Sequence, residues 1–213
     1  MKEIWIIGFG HFGQRAAAIL SKRKDARVLA VDSNPAHVAQ AKSMDVQCVE
    51  QDGVDFVAER LEREPPQWIV AALPVHLTFE WLLIRLNREF SARRIIPADT
   101  LDSLLPHPMR GQNGDIYVTH ATWRCPEDCA EPGDICTVTQ EKRPLDMFRV
   151  LEGVAFENYT PLVVRSRQLA PGVGGYRPED LFSIYDRVKS GESPFLISTA
   201  CRCHGVVSGL AVD

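Results

Sequence analysis

The feature that most constrains the fold of this chain is a glycine pattern close to its start. An apolar run, Ile4 to Ile7, leads into it, and residues that favour a helix follow. In a strand-turn-helix unit, Gly8 permits the tight turn, Gly10 lets a pyrophosphate approach the backbone, and Gly13 allows close helix packing. The alternative is a turn that only closes a strand-helix corner. The predicted dinucleotide-binding residues of this turn are Gly8, Phe9, Gly10, His11, Phe12 and Gly13.

An acidic residue at the end of the next predicted strand completes this motif. Asp32 ends Leu29-Ala30-Val31-Asp32 and lies 19 residues after Gly13. A carboxylate at this position accepts hydrogen bonds from the ribose hydroxyls of the adenosine half. It would repel a 2'-phosphate, and the following residues 33–36 contain no arginine to offset that repulsion. The sequence therefore favours NAD(H), or another adenine nucleotide, over NADP.

Apolar runs alternate with helical segments through the first hundred residues. This alternation is typical of βαβ units with right-handed crossovers and a parallel sheet. Strands are predicted near residues 3–8, 27–32, 46–50, 68–73 and 94–97, and helices at about 11–23, 35–43, 53–63 and 76–88. The expected fold class is α/β, with a Rossmann-type doubly wound parallel sheet.

The pattern changes after about residue 100, where prolines and turn residues become frequent. Strands are predicted at 115–123, 161–169 and 194–199, with a helix over 178–189 and a glycine-rich loop at 172–175. We therefore expect a smaller α+β C-terminal extension. The predicted domains are a dinucleotide-binding domain at 1–115 and a cysteine-containing extension at 116–213.

Residues 2 to about 85 resemble the TrkA-N or RCK nucleotide-binding domain, which regulates potassium channels and transporters. Besides the glycine turn, the resemblance rests on the acid-plus-Asn-Pro sequence and on Gln51-Asp52-Gly53 after the third strand. It implies NAD(H) binding, a regulatory role linked to potassium transport, and a membrane transporter as a partner. The second half does not resemble the usual C-terminal ligand domain of those regulators. The residues implied to hold ribose and adenine, or to line their crevice, are Asp32, Ser33, Asp52, Gly53, Leu73 and Pro74.

The cysteines are the second chemical feature of the chain. Cys48 stands alone in the first half, and the other five fall in the second half. Four soft ligands hold Zn²⁺ or an iron-sulfur cluster, although the spacings here match no standard motif. A redox dithiol and inert buried thiols are the alternatives. The candidate metal ligands are Cys125, Cys129, Cys136, Cys201 and Cys203.

Net charge and hydropathy argue against nucleic acid as a partner and against a membrane-spanning segment. A net charge of -4 gives no reason to expect nucleic acid as a partner. The longest apolar stretch, residues 68–77, is about half of the roughly 20 residues that cross a bilayer. The apolar strand begins directly after the third residue, so no targeting signal is predicted. We expect a cytoplasmic protein that forms a homo-oligomer.

These observations support several functions. The first is a regulatory protein in which an adenine nucleotide shifts the cysteine-bearing half and thereby a partner. The second is an NAD-dependent oxidoreductase with a metal-thiolate or iron-sulfur centre and a redox partner protein. A zinc-stapled dimerisation module is a third. No catalytic residue is assigned, although His76, at the predicted start of a helix, is considered as an acid or base or as a solvated helix-start residue.

Overall fold

The computed structural model describes residues 2–213 and contains twelve strands and six α-helices, with one 3-10 helix at Asp99–Leu104. The strands are β1 Lys2–Ile7, β2 Ala26–Asp32, β3 Gln47–Glu50, β4 Trp68–Ala71, β5 Ala92–Ile95, β6 Met109–Arg110, β7 Ile116–Thr119, β8 Thr160–Arg165, β9 Arg167–Ala170, β10 Val173–Gly175, β11 Phe195–Ala200 and β12 His204–Val212. The helices are α1 His11–Leu20, α2 Pro35–Ser43, α3 Gly53–Arg60, α4 Leu77–Leu86, α5 Met147–Glu152 and α6 Pro178–Ser190. No helix among residues 2–213 combines the length and apolar character that a membrane span requires.

The first sheet is fully parallel, with strand order β3-β2-β1-β4. Helices α1 and α2 pack on one face and α3 and α4 on the other, and the central strands β1 and β2 carry buried side chains toward both faces. The predicted α/β class and Rossmann-type sheet are therefore confirmed. Two helix starts follow from local chemistry: the Asn34 side chain accepts a hydrogen bond from Ala36 N, and Asp52 accepts from the N–H groups of Val54 and Asp55.

The second sheet has six strands and is mostly antiparallel. Its order is β6-β7-β12-β11-β8, and β5 also pairs with β12. The prediction that the strand near 94–97 extends the parallel sheet is wrong, because β5 runs antiparallel beside β12. An apolar strand after a helix has the same sequence pattern in either sheet, so periodicity alone does not identify its partner.

The C-terminal half contains further differences from the predictions. The strand predicted at 161–169 is two strands, β8 and β9, and the predicted glycine loop forms β10, which pairs with β9. Helix α5 and strand β12 were not predicted. Strand β12 pairs with β11, β7 and β5, and it is therefore the strand on which the second sheet is assembled.

Helix α4 joins the two sheets through one hydrophobic core. Its buried residues Phe79, Trp81 and Leu82 belong to the same cluster as Ile7 of the first sheet and Ile197 of the second. The helix contacts α3, α6, β5 and β11. The two halves therefore share apolar surface that neither would bury alone.

A buried polar network lies at the start of α4. His76 is only 3% exposed, which contradicts the prediction of a solvated helix start. Its Nδ1 lies 2.8 Å from Ser208 Oγ, and its Nε2 lies 3.0 Å from Thr199 Oγ1. Ser208 in turn donates to Asp115, which pairs with Arg94. Both ring nitrogens are thus engaged within the protein, and His76 joins the two halves as a structural residue.

This network predicts an acid-sensitive stability. Burial lowers the pKa of His76 from 6.5 to about 3. The charge of Asp115 opposes this shift, and the charge of Arg94 acts in the same direction as burial. The unfolded chain therefore takes up a proton that the folded protein does not. The His76 contribution to the free energy of unfolding is complete above about pH 6.5 and falls by about 1.4 kcal/mol per pH unit below it.

We expect the His76→Gln variant to lose this part of the pH dependence, because glutamine can donate and accept hydrogen bonds without titrating near neutral pH. Urea unfolding at a series of pH values measures the slope. The control is His107→Asn, since His107 is exposed and asparagine tolerates its φ of 42°. An unchanged slope in His76→Gln would contradict the assignment.

Candidate functional site

Two glycines of the glycine turn are required by the packing of the protein itself. Gly8 has φ of 95°, and a Cβ at that position would lie 2.6 Å from the Ala72 carbonyl oxygen. A Cβ on Gly13 would overlap the Gly8 carbonyl oxygen. A side chain at Gly13 would therefore force the first helix away from the end of β1, and one at Gly8 would displace the chain that follows β4.

Gly10 differs, because among residues 2–213 only His37 comes within 4 Å of the position that a Cβ would take. Its φ of -69° suits any residue, and the nearest atom to an added Cβ would be His37 Cε1 at 3.8 Å. Helix α1 begins at the next residue, has no side-chain cap, and carries no acidic residue in its first turn. Open space against free N–H groups at the positive end of a helix fits a diphosphate.

Asp32 lies beside this turn. Its Oδ2 accepts a hydrogen bond from Phe9 N at 2.6 Å, and its Oδ1 accepts one from Asn34 N at 2.8 Å. Burial opposes ionisation, but these two hydrogen bonds and nearby His37 outweigh it and lower the pKa of the Asp32 carboxyl. The carboxylate is therefore ionised beside the turn, with exposed Ser33 next to it.

His37 is a residue of this site that the sequence reasoning missed. Its Nδ1 lies 3.0 Å from Asp32 Oδ2, and its ring borders the open space at Gly10. The position of His37 in the sequence could have indicated this role. His37 lies in the first turn of α2, and that helix starts at the sheet edge where Asp32 ends β2.

The remaining predicted nucleotide residues follow β3 and β4 at the same edge of the sheet. Asp52 is exposed, and its Oδ1 caps α3. A Cβ on Gly53 would lie 2.5 Å from Ile7 Cγ2, so close packing already accounts for that glycine. Leu73 is partly buried and packs against the shared core, whereas Pro74 is exposed. Their roles toward a ligand stay predictions.

The glycine turn contacts the cysteine segment, which we define as residues 121–145. His11 Nε2 lies 3.0 Å from Glu127 Oε2, and the contact with His11 lowers the pKa of the Glu127 carboxyl. Phe12 is 61% exposed and lines the pocket that this segment encloses. The start of α1 thus has one side open to a ligand and another against the cysteine segment.

The cysteine pocket, about 710 Å³ in volume, lies between the cysteine segment, the β9-β10 hairpin and the β11-β12 turn. Cys125 Sγ is 3.8 Å from His204 Nε2, and Cys201 Sγ is 3.9 Å from His204 Nδ1. Cys48 lies apart in β3. The five candidate ligands that the structure brings to this pocket are Cys125, Cys129, Cys136, Cys201 and Cys203.

The thiols are free, and no group of three or more His, Cys, Asp or Glu side chains within residues 2–213 is arranged to hold a metal ion. Burial raises the pKa of Cys201 to about 12. Burial also raises the pKa of Cys203, although the guanidinium of Arg143 opposes the shift. Backbone hydrogen bonds from Thr139 and Val138 lower the pKa of Cys136. The pocket therefore holds thiols of unlike acidity.

Comparison with known proteins gives two family matches, which overlap at residues 67–102. Residues 4–102 match the TrkA-N domain, a domain that binds NAD(H). Residues 67–213 match a family described as "Uncharacterized protein, C-terminal domain". A protein of Archaeoglobus fulgidus, described as an "Uncharacterized protein", is 30% identical over 223 residues, which span 96% of this chain and 97% of that protein. The chain therefore belongs to the family that this C-terminal domain defines, and it carries a TrkA-N domain before it.

Proposed function

We propose that the protein is an NAD(H)-binding regulatory protein in which the cysteine segment responds to the dinucleotide. The observation that carries this proposal is the space beside Gly10, which residues 2–213 leave open apart from a contact with the His37 ring. Packing explains Gly8 and Gly13, whereas a ligand against the backbone explains Gly10.

The diphosphate and the adenosine ribose each have a matching group at this turn. The N–H groups of the first turn of α1 would receive the diphosphate, and Asp32 would accept hydrogen bonds from the adenosine ribose. The same carboxylate disfavours NADP, because a 2'-phosphate would meet a like charge. Ser33, Asp52, Gly53, Leu73 and Pro74 complete the proposed binding set along the sheet edge.

The regulatory part of the proposal rests on the contact between His11 and Glu127. A diphosphate at the start of α1 would bring negative charge close to the Glu127 carboxylate. Like charges at this distance repel, so binding would weaken the attachment of the cysteine segment to the turn. Arg15, which donates to the Pro171 carbonyl, would hold the neighbouring hairpin in place.

The remaining elements of the regulatory proposal rest on the TrkA-N domain alone. They are a link with potassium transport, a membrane transporter as the partner, self-association and a cytoplasmic location. The second half of the chain matches a different family, and a regulated protein of another kind is compatible with the same site.

The Gly10→Ser variant tests the nucleotide site. Serine is a good residue for the start of a helix, so stability is retained, but its side chain enters the space beside the turn. We expect the affinity for NADH, measured by calorimetry, to fall at least about tenfold, or about 1.4 kcal/mol. Affinity equal to that of the wild type would contradict the proposal.

Two controls accompany this measurement. Gly13→Ser should lower the unfolding temperature, because its side chain overlaps the Gly8 carbonyl. NADPH should bind more weakly than NADH to the wild type, and ADP separates a requirement for the nicotinamide half from adenosine binding. Equal affinities for NADH and NADPH would remove the role assigned to Asp32.

Hydrogen exchange tests the response of the cysteine segment. NADH should increase amide exchange within residues 121–145, and Glu127→Gln should raise NADH affinity by about two- to fivefold, since a like charge is removed. Glu141→Gln is the matched control, because Glu141 is an exposed acid of the same segment without a contact to His11. Identical exchange with and without NADH would remove the regulatory part.

A second candidate function is an NAD-dependent oxidoreductase with a metal-thiolate or iron-sulfur centre. The observation that favours it is Phe12, which belongs to the glycine turn and also lines the cysteine pocket. A reducing dinucleotide held at this turn would lie beside the five cysteines of that pocket.

Oxygen-free protein should then oxidise NADH with ferricyanide, two ferricyanide ions taking the two electrons of each NADH while one proton is released to water. The loss of NADH absorbance at low NADH concentration should be slowed in Gly10→Ser and retained in Cys48→Ser. Colourless, metal-free protein that leaves NADH absorbance unchanged would exclude this candidate.

A further inference from the structure

One imidazole in the cysteine pocket lies between two thiols. His204 is exposed at the start of β12. Its Nε2 is 3.8 Å from Cys125 Sγ, and its Nδ1 is 3.9 Å from Cys201 Sγ. A thiol beside an imidazole nitrogen can pass its proton to the ring and become the more reactive thiolate. One of these two thiols is therefore a candidate nucleophile.

Cys201 is the thiol that orients the ring. Its Sγ accepts hydrogen bonds from the backbone N–H groups of Cys203 and His204, each at 3.4 Å, and a side-chain hydrogen bond joins the thiol to Glu131. A sulfur that already receives two backbone donors presents lone pairs to its neighbours, so it favours the ring proton on Nδ1. The lone pair of Nε2 is then free on the side of Cys125.

Cys125 is the thiol that a small molecule can reach. It lines the pocket of about 710 Å³. Burial raises the pKa of the Cys125 thiol, and the charge of Arg143 opposes that shift. A neighbouring base is therefore needed to form the thiolate at neutral pH, and His204 Nε2 occupies that position.

The guanidinium of Arg143 suits a reaction that releases a second thiolate. Within residues 2–213 it forms no salt bridge with a carboxylate, and its Nη2 donates to Cys203 Sγ instead. A positive charge beside the pocket stabilises both an attacking and a departing thiolate. Exchange between a thiol and a disulfide fits these groups, because attack at sulfur forms no oxyanion that would need further donors.

We infer that Cys125 undergoes thiol-disulfide exchange with a low-molecular-weight disulfide, with His204 as its base. The proton of Cys125 Sγ passes to His204 Nε2, and the sulfur attacks one sulfur of the disulfide. A new sulfur-sulfur bond forms as the old one breaks, and the departing thiolate takes the proton from His204. One thiol and one disulfide give one mixed disulfide and one thiol, so no other oxidant is required. The reaction goes beyond the proposed nucleotide site and needs no dinucleotide.

The test is the rate at which an aromatic disulfide, whose released thiol absorbs visible light, modifies the reduced full chain. A chelator is present throughout, so that bound metal does not mask the thiols. Mass spectrometry of peptides identifies the cysteine that reacts first. We expect Cys125 to react at least about tenfold faster than Cys48, which lies apart in β3, because a positioned base gives that advantage or more.

A histidine variant tests the base. His204→Gln should slow the reaction of Cys125 at least about tenfold, since glutamine forms hydrogen bonds but does not accept the proton. His120→Gln is the matched control, because His120 lines the same pocket and its Nε2 contacts the Leu145 carbonyl oxygen rather than a thiol. The rate of this control should equal that of the wild type.

Two variants of Cys201 test the orientation of the ring. Cys201→Ala removes the acceptor of the Nδ1 proton and should slow the reaction of Cys125, whereas Cys201→Ser supplies a hydroxyl oxygen and should restore it. Cys48 is the internal reference in every variant. Loosening of the whole fold would change the rate of Cys48 as well, and loss of the base or of its orientation should change Cys125 alone.

Equal rates for Cys125 and Cys48, first modification at another pocket cysteine, or an unchanged rate in His204→Gln would overturn the inference. NADH calorimetry on the same reduced protein separates it from the proposed function. Fast reaction of Cys125 without NADH binding leaves this inference standing alone, and NADH binding with a slow Cys125 removes it while retaining the nucleotide site.

Discussion

The close contact between the first helix and the first strand is the constraint on which the other sites depend. The Gly8 carbonyl oxygen fills the place that a Cβ of Gly13 would take, so the helix can start directly above the strand end. This places free N–H groups beside the Asp32 carboxylate. It also brings His11 and Phe12 against the cysteine segment. One backbone contact therefore positions both the proposed nucleotide site and the cysteine segment beside it.

Sequence patterns predicted the first half well, because its signals are local. Gly13, Asn34 and Asp52 act within a few residues of their own positions, so spacing alone reveals the turn and the two helix starts. Strand β12 was missed because Gly205, Ser208 and Gly209 interrupt its apolar pattern. Close packing in the second sheet requires the glycine at position 209, since a Cβ there would lie 2.5 Å from the carbonyl oxygen of Ile95.

Convergence of distant residues could not be predicted in the same way. Cys125 and His204 are separated by 79 positions and meet only because β12 returns beside β7. The role of His76 was equally hidden, since its partners Ser208 and Thr199 lie in the last two strands. The two family matches overlap at residues 67–102, and this overlap has a structural counterpart. There β4 belongs to the first sheet, while α4 and β5 pack against or pair with the second.

The β9-β10 hairpin holds the cysteine segment at the Cys129 carbonyl, which accepts hydrogen bonds from Gly172 N and from Gln168 Nε2. Gly172 has φ of 70°, its N–H donates to the Cys129 carbonyl, and a Cβ there would overlap the Glu127 carbonyl oxygen. The cysteine segment is thus attached to the hairpin between Glu127, which contacts the glycine turn, and the remaining pocket cysteines. Because neither the backbone amide of Gly172 nor the side-chain amide of Gln168 titrates or is readily oxidised, this attachment would persist while the chemistry on either side of it changes.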